Sequence, residues 1–169
     1  MNKLIIILTG IVFILNCGRA QTKEMLLPKN TKVDKLVVYK SERKLHLYSN
    51  NKEIAVWDIA LGHSPVGKKE IEGDGKTPEG LYYIDQKSAV SKYHKNLNIS
   101  YPNEADRTHA ASLGKSAGGD IKIHGLPATM DDNRYKRSDW TLGCIALTNA
   151  QIDALFDAIV LGSPIQIYP

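Results

Sequence analysis

Lys35–Gly62 reads KLVVYKSERKLHLYSNNKEIAVWDIALG. Three runs rich in β-branched and aromatic residues are separated by the polar stretches Ser41-Glu42-Arg43 and Ser49-Asn50-Asn51-Lys52, the pattern of strands joined by short turns. In the middle run Leu45 and Leu47 share one face while Lys44, His46 and Tyr48 share the other, because successive side chains of a strand point to opposite sides. The stretch therefore predicts an antiparallel meander with one buried and one solvated face. Further strands are expected at GLYYIDQ (80–86), DIKIHG (120–125) and SPIQIYP (163–169). TNAQIDALFDAIVLG (148–162) is the one strong helix: Thr148 caps it with Gln151 reaching back, Ile152, Leu155, Phe156, Ile159 and Val160 recur at helical spacing, and Gly162 ends it. Ser88 to Gly119 carries few strand signals and is expected to be irregular, with short helices that periodicity does not place. The fold class is mainly β, with a few short helices and one clear C-terminal helix.

The chain opens with MNKLIIILTGIVFILNCGRAQ, an apolar stretch behind one lysine that is too short for a spanning helix and reads as an export signal over residues 1–20. Gly18-Arg19-Ala20 suits cleavage after Ala20; Cys17 sits where a lipoprotein cysteine would, so lipid anchoring is the other reading. Residues 21–34 are polar and read as a linker, with one domain over 35–169. The formal charge of +4 falls to +2 without Lys3 and Arg19, and the lysines are scattered, so nucleic acid is not an expected partner. Mild basicity suits an anionic polymer such as cell wall, and the expected location is the periplasm or cell envelope. A membrane becomes a partner only if Cys17 is lipidated.

With Cys17 in the leader, Cys144 is the only thiol left in the domain, so it has no internal disulfide partner. Strand alternation turns Ile121 and Ile123 one way and Lys122 and His124 the other, and Gly125 ends the run. A thiol is a nucleophile as its thiolate, and an imidazole within reach can take its proton and return it to a leaving amine. Gly143 leaves space beside Cys144, and neighbouring N–H groups there can hold an oxyanion. Spacing alone leaves a second reading open, in which a buried cysteine and a strand-end histidine are ordinary core residues.

His124, then sixteen residues from Gly125 to Trp140, then Thr141-Leu142-Gly143-Cys144-Ile145, resembles the active-site signature of the L,D-transpeptidase (YkuD-type) catalytic domains of bacterial cell-wall enzymes. GDGKTPEG (73–80) and SDWTLGCIALTN (138–149) are similar to one branch of that family, and the likeness runs from about Lys35 to Pro169. The resemblance implies an antiparallel β-sandwich and a peptidoglycan stem peptide as substrate. It also implies Cys144 as a nucleophile attacking the carbonyl of the L-centre of a diamino acid. A terminal D-amino acid would leave, a thioester would form, and His124 would serve as base and then acid. Thr141, Gly143 and Gly125 would support the loop and the oxyanion. Two positions depart from the family: Leu142 stands where histidine is common, and Ala146 where arginine is common.

Hydrolysis of the same bond class, either carboxypeptidase trimming or release of a wall-linked protein, is the alternative activity. A wall-binding module without chemistry has no use for the Cys/His pair, and a thiol redox protein lacks its second cysteine. No metal or other cofactor is expected, since His46, His63, His94 and His109 show no metal-ligand spacing. Trp57 is expected to be a packing residue rather than a sugar platform, whereas Trp140, which flanks the active loop, is balanced between the two. Arg107, Arg134, Lys136 and Arg137 are candidate carboxylate contacts, none singled out, so the substrate-binding residues are unassigned.

Overall fold

The computed structural model describes residues 26–130 and 138–169; the stretch read as an export signal, with Cys17, and Arg134, Lys136 and Arg137 lie outside the described residues. Strands β1 (Lys35–Tyr39), β2 (Lys44–Ser49), β3 (Lys52–Asp58), β4 (Gly80–Ser91) and β5 (His94–Ile99) precede helix α1 (Glu104–Ser112). Then come β6 (Lys122–His124), β7 (Ile145–Ala146), helix α2 (Asn149–Ala158) and β8 (Pro164–Tyr168). Among the described residues the strands join in the order β3-β2-β1-β8-β4-β5-β6-β7.

The meander forms as its alternation dictates: Leu45 pairs with Val38 and Trp57, and Leu45, Leu47 and Trp57 are buried. Trp57 is a core residue, as expected. β4 curls the sheet, because Gly80 to Tyr83 pair with β8 while Ile84 onward pairs with β5 across two register shifts. Such irregularities bend a strand and sharpen its twist. The result is the mainly β, sandwich-like fold expected, with two parallel strand pairs among the described residues, β1 with β8 and β6 with β7. The first of these needs a long crossover, and the chain supplies it with nearly the whole domain.

Ser88–Gly119 departs from the irregular region expected. It holds the end of β4, all of β5, and α1. β5 reads HKNLNI and buries only Leu97 and Ile99, while α1 buries only Asp106 and Ala110, so neither has an apolar stripe wide enough to register. What starts α1 is its cap: Asn103 accepts from Asp106 N–H and the Asp106 carboxylate accepts from Asn103 N–H. The Thr148/Gln151 capping box of α2 is present as expected. That helix stops at Ala158 rather than running to Gly162, because Val160 donates its N–H to Val33 O and Ile159 bridges to Val33. Val160 is thereby turned outward. Val33 is fully buried, so packing begins just before β1.

Candidate active site

The segment after β3 forms the floor of the site. Ala60 exchanges both backbone hydrogen bonds with Ala146, Thr141 N–H donates to Leu61 O, and His63 N–H donates to Thr141 O. Asp139 ties this floor down, accepting from Leu61 N–H at 3.0 Å and from the Arg43 guanidinium at 2.9 Å. The GDGKTPEG stretch closes against it from the side. Thr77 Oγ1 accepts from Gly62 N–H at 3.1 Å, and Thr77 O accepts from buried Lys40, whose ammonium also reaches Gly67 O and Glu79. Gly62 and Gly143 are required where the backbones cross. A Cβ on Gly62 would stand 2.1 Å from Gly75 O, and Gly143 combines φ +128° with Lys76 O only 2.6 Å from where its Cβ would be.

On this support Thr141 locks the loop that carries the thiol. Its hydroxyl donates to Cys144 O at 2.7 Å and accepts from Gly143 N–H at 3.1 Å. Gly143 N–H is thus occupied, whereas Cys144 N–H, a neighbouring donor of the kind the sequence points to, has no acceptor among the described residues. Cys144 Sγ accepts from Lys122 N–H at 3.4 Å and donates to Asp120 O at 3.6 Å. β6 and β7 run parallel with His124 beside Ala146, so His124 projects from the same face as the thiol loop.

His124 is 3% exposed. Its Nδ1 lies 2.7 Å from Gly125 O, and a carbonyl only accepts, so Nδ1 carries the proton and Nε2 is the basic nitrogen. Tyr93 stacks on the ring at 4.6 Å and Trp140 meets it edge-on at 5.7 Å. Burial holds the imidazole below the ordinary histidine range, outweighing the Gly125 bond, and Lys122 pushes the same way. Burial likewise pushes the Cys144 thiol up, against the Lys122 N–H that favours the thiolate. Both shifts favour a neutral thiol and a neutral imidazole in the resting pair. No hydrogen bond joins them directly; they line one cleft of about 500 Å³ with Tyr93, Trp140, Thr141 and Leu142.

A labelling experiment checks the protonation state. Iodoacetamide should alkylate Cys144 slowly at neutral pH, with a rate that keeps rising through and beyond the ordinary thiol range. A plateau well below that range, followed by intact mass, would show a preformed thiolate instead.

The remaining candidates separate cleanly. Trp140 lines the cleft and also packs on a small apolar cluster of Ala60, Leu126 and Ala146. Ala146 is fully buried there, while Leu142 is 80% exposed at the cleft mouth. Arg107 donates to Pro102 O, away from the cleft. His46, His94 and His109 pair with Glu53, Asp153 and Glu70, and His63 lies against Gly75. Sequence reasoning missed Tyr93, Lys69 and Asp120. The aromatic in the polar run SKYHKN was the only signal for Tyr93, and nothing marked Lys69 among the scattered lysines.

Comparison with known proteins agrees with this architecture. The L,D-transpeptidase catalytic domain model matches residues 34–167. YafK of Escherichia coli K12 is 32% identical over 145 residues, covering 78% of this chain and 52% of its own length. The structure of Pgp2, a helical cell shape determining protein of Campylobacter jejuni, superposes with a TM-score of 0.61 at 27% identity, covering 85% of this chain and 50% of that one. The Enterococcus faecium L,D-transpeptidase shares the fold at 15% identity and a TM-score of 0.54, over 82% of this chain and 50% of its own. The chain thus spans about half the length of the relatives it matches. On the family match across nearly all of its described residues, the chain belongs to the L,D-transpeptidase catalytic domain family.

Proposed function

We propose that this domain transfers an acyl group of a peptidoglycan stem peptide through a thioester on Cys144, with His124 as base and then acid. The observation that carries the proposal is the pinned tautomer: Gly125 O holds the Nδ1 proton of an imidazole sharing a cleft with the thiol, leaving Nε2 to receive a proton. As substrate enters, Nε2 takes the thiol proton while Sγ bonds to the carbonyl carbon of the L-centre. Cys144 N–H receives the oxyanion. Collapse breaks the C–N bond, and Nε2 returns the proton to the departing amine of the D-amino acid. An acceptor amine then attacks the thioester and frees the thiol. No metal or other cofactor takes part, and the substrate places the domain in the cell envelope.

Hydrolysis is the second reading, with water replacing the amine. It is favoured by the absence of a basic side chain at the exposed Leu142; Ala146 is buried and does not bear on the cleft mouth. A donor tetrapeptide with excess acceptor decides between them. Cross-linked dimer in excess of trimmed tripeptide is the expected result. Tripeptide in excess would select the hydrolase, and the absence of both products would overturn acyl transfer on this substrate.

A further inference from the structure

We propose that Lys69 is a specificity residue whose ammonium receives the terminal carboxylate of the D-amino acid that leaves the stem peptide; the inference rests on the function proposed above. Lys69 is the one cation among the described residues that line the cleft. Its side chain is 3% exposed. Lysine is rarely buried unless its protons are placed, and here two of three are: Nζ donates to Ile71 O at 3.0 Å and to Asp74 Oδ1 at 2.8 Å. No described residue accepts the third.

The counter-charge is also divided. The Asp74 carboxylate accepts from the N–H groups of Glu70, Ile71 and Lys76 besides the ammonium. Three neutral donors draw on the same carboxylate, and beside it the ammonium has Ile71 O and the face of the Tyr101 ring, 6.0 Å to its centroid, as its contacts among the described residues. The cleft's own carboxylates, Glu72 and Asp120, are exposed, and Asp120 is already engaged by Lys122. The Lys69 charge also acts on Cys144, where it favours the thiolate.

The substrate geometry requires such a group. The scissile carbonyl belongs to the residue next to the last, so the free carboxylate stands one residue away, about 3.8 Å from Cα to Cα. A cleft that takes the carbonyl at Cys144 must hold a full negative charge close by. Charge-assisted hydrogen bonds to a shielded ammonium are the strong kind, and they exclude a substrate capped as an amide.

The test is binding of a tetrapeptide muropeptide and its C-terminal carboxamide to the Cys144→Ala protein, by calorimetry, so that no turnover is needed. The acid should bind tighter than the amide by on the order of tenfold to a hundredfold. In Lys69→Met/Cys144→Ala the two affinities should converge to within about twofold, with amide binding unchanged. Equal binding of acid and amide by Cys144→Ala would overturn the inference alone, and needs no change at Lys69 if that variant fails to fold. A preference that survives in a folded Lys69→Met protein would overturn it too. Binding of neither ligand would overturn the substrate reading and this inference together.

Discussion

Cys144→Ala abolishes product formation from tetrapeptide muropeptides and leaves the thermal unfolding transition nearly in place. The thiolate is the only covalent partner the proposed reaction has, so no neighbouring group substitutes for it. The structural loss is small: one sulfur atom with two long contacts, to Lys122 N–H and Asp120 O. The loop itself is held by the Thr141 hydroxyl and the Ala60–Ala146 pairing, which the substitution does not touch. Mass analysis of products beside a melting curve checks both halves. Turnover near the wild-type rate would remove Cys144 from the mechanism, and an early melt would make the loss structural.

His124→Ala lowers turnover on the order of 10²–10⁴-fold, the span that general acid–base assistance provides. The larger end is expected, because the thiol sits above its ordinary range and needs a base to ionise at neutral pH. In the wild type, kcat/KM falls with acid only as Nε2 becomes protonated. Burial holds the imidazole below the ordinary histidine range, so that acid limb lies below this range as well. It should vanish in His124→Ala along with most of the rate. An acid limb at or above the ordinary histidine value would mean that His124 is not the group titrating. His124→Gln separates packing from chemistry, since it fills more of the space between Tyr93 and Trp140 yet supplies no base.

Elements that repeat a local pattern are legible in the amino-acid sequence. Leu45 and Leu47 alternate with polar neighbours, and Thr148 stands three residues before Gln151, so the meander and the start of α2 follow from short-range rules. The Cys/His pair and the Thr141 loop are marked in the sequence by their resemblance to a family signature, since spacing alone leaves the core reading open. What depends on distant segments is not. β5 is a polar strand whose partners, β4 and β6, supply its structure. The end of α2 is decided by Val33, well over a hundred residues away in sequence. The same holds in the site, where Tyr93 reaches His124 from a hairpin and Lys69 enters the cleft from a loop fixed by Asp74. The occupied Gly143 N–H is equally hidden from sequence, since it depends on the rotamer of Thr141.

The burial that favours the protonated thiol, with Asp120 O as its acceptor, has a chemical consequence of its own. Peroxides and disulfides react with thiolates far faster than with thiols, and the irreversible oxidation products of cysteine begin from that anion. A sulfur that keeps its proton until a substrate displaces the balance is shielded from such reagents between turnovers. Under the proposed function, the reactivity of the domain is thereby stored in a dormant form until the stem peptide enters.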